Sequence, residues 1–227
     1  MDSRAWDERY AASELVWGTG PNGWVVRELA GLVPGRALDL AAGEGRNSIW
    51  LAGLGWEVTG LDFSTVALGR AERLTASLPD EVADRLTWRH GDARGFEAPP
   101  EGYDLVVVAY LQIPAEDRRA ALRRAAAALA PGGTLLVVGH DSSNLTEGVG
   151  GPQDPAVLYT PEDVLADLVG AGLRTVRAER VLRPVAAESG HRDRGGDQDG
   201  DRDRERGGPE GGGAVAVDAL VRLERPA

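Results

Sequence analysis

Four groups of residues in this 227-residue chain have types and spacing that could do chemistry. The first is Asp39-x-Ala41-x-Gly43-x-Gly45, with Asp62 ending the next apolar run. Glycines in a tight turn let the backbone approach a ligand with no Cβ in the way. The amides that open the following helix point toward that ligand. An acid ending the next strand is placed to accept hydrogen bonds from ribose hydroxyls. These residues imply a site for an adenosine-containing small molecule. The second group is Gly91-Asp92-Ala93, and the third is Ala109-Tyr110-Leu111-Gln112, where polar side chains follow a long apolar run. The fourth is Gly139-His140-Asp141. An imidazole of near-neutral pKa beside a carboxylate can act as a general base, or His140 can cap or pack against the next loop.

The surrounding patterns predict the elements that position these groups. Arg36–Asp62 reads as strand, glycine turn, helix and strand, one βαβ unit with the turn at the carboxyl end of a parallel strand. Ile49, Trp50 and Leu54 are spaced to form the buried face of its helix. Ser64 is placed to cap a helix over Thr65–Ser77, with Val66, Leu68, Ala71 and Leu74 as its apolar side. Leu86–His90 and Tyr103–Ala109 read as the third and fourth strands, the fourth a near-continuous apolar run of the kind buried on both faces. A helix over Ala115–Ala130, ended by Pro131-Gly132-Gly133, leads into a fifth strand. Thr160-Pro161-Glu162-Asp163 is a helix start with a threonine cap, proline at the first position and an acid three residues on. Leu173–Val185 and Ala214–Leu223 read as the last two strands. The Gly- and Pro-rich segment Glu147–Tyr159 is long enough to form a substrate mouth.

Two nucleotide-binding alternatives fit poorly. A dinucleotide fingerprint needs a third glycine where Ser48 stands, and a P-loop needs a lysine in a chain that has none. The acid-x-small-x-Gly-x-Gly pattern instead resembles motif I of the class I S-adenosylmethionine (SAM) methyltransferases. Gly-Asp after the third strand and L-A-P-G-G-T-L-L-V-V at 129–138 resemble later motifs of that family. W-D-E-R-Y…W-x-x-x-P-N before motif I resembles its tellurite-resistance and thiopurine branch. The resemblance implies a Rossmann-like α/β fold: a seven-stranded, mostly parallel sheet with helices on both faces, an antiparallel carboxyl-terminal hairpin and an amino-terminal helical lid over residues 1–30. It implies SAM as cofactor, S-adenosylhomocysteine as product, and transfer of the methyl group to S, Se/Te or O of a small molecule.

Carried over by position, Gly43 and Gly45 hold the methionine moiety beside Ala41, and Asp62 holds the ribose. Phe63 stacks on adenine or belongs to the core. Asp92 accepts from the adenine amino group, flanked by Gly91 and Ala93. Asp39 and Arg46 hold the methionine ammonium and carboxylate, or form a structural salt bridge. Ser64 and Ala109 complete the cofactor contacts, with Trp6 and Tyr10 from the lid. His140 and Tyr110 are the catalytic candidates, and Trp17, Gln112 and Asp141 line the acceptor. Alanine at 41, where the family has glycine, argues against a positive φ there. A non-catalytic SAM-binding protein and an NAD(P)-dependent oxidoreductase remain as alternatives.

Composition narrows the partners. A formal net charge of −11 disfavours nucleic acid, because phosphate contacts need clustered basic residues. Arginines 118, 119, 123 and 124 read as a solvated helix face. The apolar runs are shorter than the ~20 residues of a membrane span. The charged amino terminus carries no secretion signal, and the absence of cysteine suits a reducing cytoplasm. Residues 188–213, almost wholly Gly, Asp, Arg and Glu, predict a disordered insertion within one domain. Their acids lack calcium-loop spacing, so no metal site is expected.

Overall fold

The computed structural model describes Asp7, residues 20–185 and residues 214–227. Seven strands form one sheet in the order β3-β2-β1-β4-β5-β7-β6. They are β1 (Arg36–Leu40), β2 (Glu57–Asp62), β3 (Leu86–His90), β4 (Tyr103–Ala109), β5 (Leu129–His140), β6 (Arg174–Pro184) and β7 (Val215–Glu224). The first five pair in parallel, and β7 runs antiparallel between β5 and β6. Chain order reverses at β1, which has β2 on one side and β4 on the other. In open α/β sheets the crevice at such a switch point binds the ligand.

Alternation along the central strands separates two cores. Leu38, Val106, Val108, Leu135 and Val137 face one side, with Ala121, Leu122, Ala125 and Ala126 of α5 (Ala115–Ala127) and Val164 of α7 (Pro161–Asp167). Ala37, Leu105, Val107, Leu136 and Val138 face the other, with Trp24, Val25 and Leu29 of α1 (Gly23–Leu29) and Leu51 and Ala52 of α2 (Arg46–Gly53). Burial on both faces is the reason β4 and β5 read as unbroken apolar runs. The cap assignments at Ser64 and Thr160 hold, and Asn22 caps α1 in the same way. Asn22 accepts from the amides of Trp24 and Val25. Ser64 caps α3 (Thr65–Thr75), and Thr160 with Asp163 forms a reciprocal capping box on α7.

Several details differ from the sequence reading. The buried face of α2 is Asn47, Ser48, Leu51 and Ala52, while Leu54 is exposed. The helix starts at Arg46 immediately after the left-handed Gly45, and that start sets a phase that turns positions 48, 51 and 52 toward the sheet. On α3 the buried residues are Ala67, Leu68 and Ala71, with Val66 and Leu74 only half-buried. A short helix, α4 (Asp80–Ala83), follows α3. Helix α5 stops at Ala127, and β5 already begins at Leu129, with a register irregularity that accommodates Pro131–Gly133. The arginines of α5 are not simply a solvated face. Arg118 is buried and bonds the carboxylate of Asp167 at 2.7 Å, Arg119 bonds the same carboxylate at 3.0 Å, and Arg123 bonds its carbonyl. These bonds tie α5 to the end of α7. Trp6, Tyr10, Trp17 and the 188–213 insertion lie outside the described residues.

Candidate active site

The first functional group forms at the carboxyl ends of β1 and β2. Gly43 and Gly45 both take left-handed backbone conformations, φ 58° and 84°. Ala41 does so as well, at φ 66°, against the expectation from its side chain. The amides of Ala41 and Ala42 both donate to the carbonyl of Leu61 at 2.9 Å, which turns the chain across the end of β2. That pinning offsets the roughly 1–2 kcal/mol that an L-residue loses in this region. Gly45 is required for a reason the motif does not reveal: a Cβ there would lie 2.3 Å from Cη2 of Trp88. The indole of β3 lies over the turn from behind and donates from Nε1 to Thr75 at 3.0 Å.

Asp62 joins the turn to the strand that follows. Its Oδ2 accepts from the Gly43 amide and its Oδ1 from the Ser64 amide, each at 2.8 Å. A carboxylate has about four acceptor sites, so acceptor capacity remains for a ligand hydroxyl. Burial pushes its pKa up, while the Ser64 and Gly43 amides pull it back. The Ser64 hydroxyl donates to the half-buried Asp7 at this corner of the site.

Asp39, 1% exposed, accepts from the Ser48 hydroxyl at 2.7 Å. Its pKa is raised to about 6, chiefly by burial, with Ser48 and Arg46 opposing. Ser48 therefore occupies the place of a third glycine because it supplies the hydroxyl that Asp39 needs. Helix α2 has no side-chain cap and no acid in its first turn. A buried carboxylate of raised pKa beside an uncapped helix start suits an ammonium and a carboxylate together. The donors and acceptors at this turn thus fit the amino-acid end and the ribose of SAM.

The second group is at the same edge. The Gly91 amide donates to the carbonyl of Asp62, so the chain leaves β3 toward Asp92 at the same end of the sheet as Asp62. Phe63 is half-buried at this corner and its carbonyl meets Nε2 of His90 at 3.1 Å. The Asp92 carboxylate is partly engaged. It accepts from the Arg94 amide at 2.9 Å and pairs with the Arg94 guanidinium, whose bonds hold its pKa below the usual range. Ala93 is buried behind it, and Ala109 lies half-buried at the end of β4.

Tyr110 of the third group and His140 of the fourth meet on the face covered by α1. Tyr110 has φ 59°, unusual for a bulky residue. Its amide donates to Val138 and its hydroxyl to Oδ2 of Asp218, both at 2.7 Å. The His140 ring stands edge-on to the Tyr110 ring at 5.1 Å. Burial lowers the pKa of His140, partly countered by Asp218. Gln112 serves as a brace: it accepts from the His140 amide at 2.6 Å and donates to the Val157 carbonyl at 2.7 Å. Asp141 points to the opposite face and closes a turn by accepting from the amide and hydroxyl of Ser143.

Sequence reasoning missed three residues here: Asp218, Arg183 and Trp24. The available signal was Asp218 itself, a lone acid in the apolar run Val215–Leu220.

The first four strands coincide with a known family. A methyltransferase domain model matches residues 37–133. An uncharacterized methyltransferase of Mycobacterium tuberculosis H37Rv is 34% identical over 112 residues, which is 49% of this chain and 54% of that protein. The chain thus spans about half the length of the curated relative. The glycopeptide N-methyltransferase MtfA, solved with SAM, is 25% identical over 88% of this chain and 92% of its own, with a TM-score of 0.60. TehB from Haemophilus influenzae shares the fold at a TM-score of 0.64 and 15% identity, over 92% of this chain and 63% of its own. Similar scores for these two mean that the fold does not single out the tellurite-resistance branch. The sheet order, the glycine turn with its paired acid and the matched domain agree: residues 37–133 match a methyltransferase domain, and the sheet is that of the SAM-dependent methyltransferase structures it resembles.

Proposed function

We propose that the chain binds SAM at the Gly43–Gly45 turn and transfers its methyl group to a heteroatom of a small-molecule acceptor. The observation that carries this reading is the bond from the Gly43 amide to the Asp62 carboxylate. It joins the turn for the amino-acid tail to the acid for the ribose in one rigid corner. Gly43 and Gly45 approach the methionine moiety next to Ala41, with Asp39 and Arg46 beside its charged groups. Asp62 takes the ribose, and Asp92, Gly91, Ala93 and Phe63 lie toward adenine.

When bound, SAM supplies an electrophilic methyl on a sulfonium that departs as a neutral thioether. The residues of this chain must align the acceptor and, for an O–H or N–H acceptor, remove a proton. His140, uncharged at pH 7 because burial lowers its pKa, is the base we assign, with Tyr110 beside it. Thiolate, selenite or tellurite acceptors need alignment alone. The N-methyltransferase named among the structural relatives extends the candidate acceptors to amines.

Calorimetric titration with S-adenosylhomocysteine tests the cofactor site. Saturable binding is expected, weakened tenfold or more by Asp62→Ala, in line with about 1.5–3 kcal/mol for hydrogen bonds to a charged group. Binding unchanged by that substitution removes Asp62 from the site. Release of S-adenosylhomocysteine from SAM with thiols, selenite, catechols and amines separates an enzyme from a non-catalytic binder. Tight binding of NAD in place of S-adenosylhomocysteine would instead support the oxidoreductase reading.

A further inference from the structure

Asp218 is fully buried on β7, the strand next to the sheet edge, and sits opposite His140 in the β5–β7 register. Its Oδ2 accepts from the Tyr110 hydroxyl at 2.7 Å, the Arg183 Nε at 2.7 Å and the Trp24 Nε1 at 3.2 Å. Its Oδ1 lies 3.4 Å from Nη2 of Arg183 and 3.5 Å from Nδ1 of His140. That imidazole nitrogen is buried and makes no hydrogen bond among the described residues. One carboxylate therefore gathers side chains from α1, β6 and the ends of β4 and β5. A pair with Arg183 alone would account for one of these four partners. Burying an ion pair inside a sheet is seldom the most stable choice for a site that apolar residues could fill. Of the three others, Tyr110 and His140 are those that flank the acceptor in the function proposed above.

We propose that Asp218 is a positioning residue for methyl transfer: it orients the Tyr110 hydroxyl and holds His140 with Nδ1–H toward its carboxylate, leaving the Nε2 lone pair for the acceptor proton. This role rests on the methyltransferase reading. In the step it serves, a bond forms between the methyl carbon and the acceptor heteroatom as the carbon–sulfur bond breaks. The electron pair stays on sulfur, the acceptor proton passes to Nε2, and Asp218 stays ionised throughout. The ionisable groups facing His140 are Asp218 from β7, Arg183 from β6 and Tyr110 from the end of β4. Trp24 of α1 reaches the same carboxylate, and Gly151 lies against the Nε2 edge of the ring. Tyr110 also benefits, because its left-handed backbone is held from both ends, by the amide bond to Val138 and the hydroxyl bond to Asp218.

The test is nitrogen-15 NMR of the histidine side chains across pH, comparing the wild-type chain with Asp218→Asn and using His140→Gln to assign the signal. The expected wild-type form is the Nδ1-protonated tautomer. In Asp218→Asn that preference is lost, and the midpoint of His140 moves to lower pH because Arg183 remains without its anion. With the best acceptor of the panel, kcat is expected to fall tenfold or more while S-adenosylhomocysteine affinity stays within about threefold. An unchanged tautomer and midpoint, or an unchanged kcat, overturns the proposal. If Asp218→Asn does not fold, Asp218→Asn with Arg183→Gln removes both charges and the tautomer is read there, with the same two outcomes. Should the chain ignore S-adenosylhomocysteine, the methyltransferase reading fails, and the NMR result still decides whether Asp218 orients His140.

Discussion

Asp39 shows how a single buried group couples folding, pH and ligand. Its pKa rises from 3.8 to about 6 because the fold removes it from water. The folded chain therefore holds the proton more tightly than the unfolded one, so ionisation costs stability as pH rises. No penalty exists below about pH 4; it develops between pH 4 and 6 and is complete above. A rise of that size corresponds to about 3 kcal/mol. Asp39→Asn should therefore be more stable than wild type at pH 7 by up to that amount and equal to it near pH 4, as read by urea denaturation. A ligand ammonium reverses the preference. S-adenosylhomocysteine binding to the wild type should weaken as pH falls below 6 and release a proton, visible as a buffer-dependent heat in calorimetry. In Asp39→Asn both effects should vanish. A buffer-independent heat at pH 5.5 would place the ammonium elsewhere.

Among the elements, the segment between α6 (Asn144–Glu147) and α7 bears most directly on the acceptor. Its Gly150 and Gly151 both have left-handed backbones, φ 72° and 76°, but their surroundings differ. A Cβ on Gly150 meets nothing within 4 Å, whereas one on Gly151 would lie 2.8 Å from Nε2 and Cδ2 of His140. Alanine at either position carries the same backbone strain, about 1–2 kcal/mol. Only alanine at 151 obstructs the imidazole. Gly151→Ala should lower kcat tenfold or more for an acceptor that must lose a proton, while Gly150→Ala stays within about threefold of wild type. Equal effects from the two substitutions would assign this segment no role beyond its own folding. The expectation that Glu147–Tyr159 forms the acceptor mouth thus has a matched control within one loop.

At the scale of the whole molecule, the hairpin of β6 and β7 closes the sheet and delivers Arg183 and Asp218. Pairing continues to Pro184 opposite Val215, and the Val185 amide donates to the carbonyl of Ala214 at 2.8 Å. The two ends of the acidic and basic insertion are therefore already neighbours, and a two-residue turn can join them. Replacing residues 186–213 by Asn-Gly should leave S-adenosylhomocysteine affinity unchanged. It should also stabilise the chain by about 2 kcal/mol, because closing a shorter loop costs less entropy. Thermal unfolding of the two forms reads the difference. A loss of affinity would tie the insertion to the site.

The sequence by itself determined the parts whose physics is local. Strand, glycine turn, helix and acid could be read from Arg36–Asp62 because a turn's φ requirement and a strand's burial are imprinted on consecutive residues. The caps at Ser64 and Thr160 were readable for the same reason, since each bonds an amide three positions away. Where burial depends on helix phase, as in α2, the local pattern misled: Leu54 is exposed and Ser48 is buried. The tertiary structure alone decided what long-range pairing brings together. Trp88 makes Gly45 necessary from two strands away, and Trp24 meets Asp218 across 194 positions. No window of sequence contains both members of such a pair. The insertion of β7 between β5 and β6 turns a lone acid in an apolar strand into the hub that Tyr110, His140 and Arg183 share.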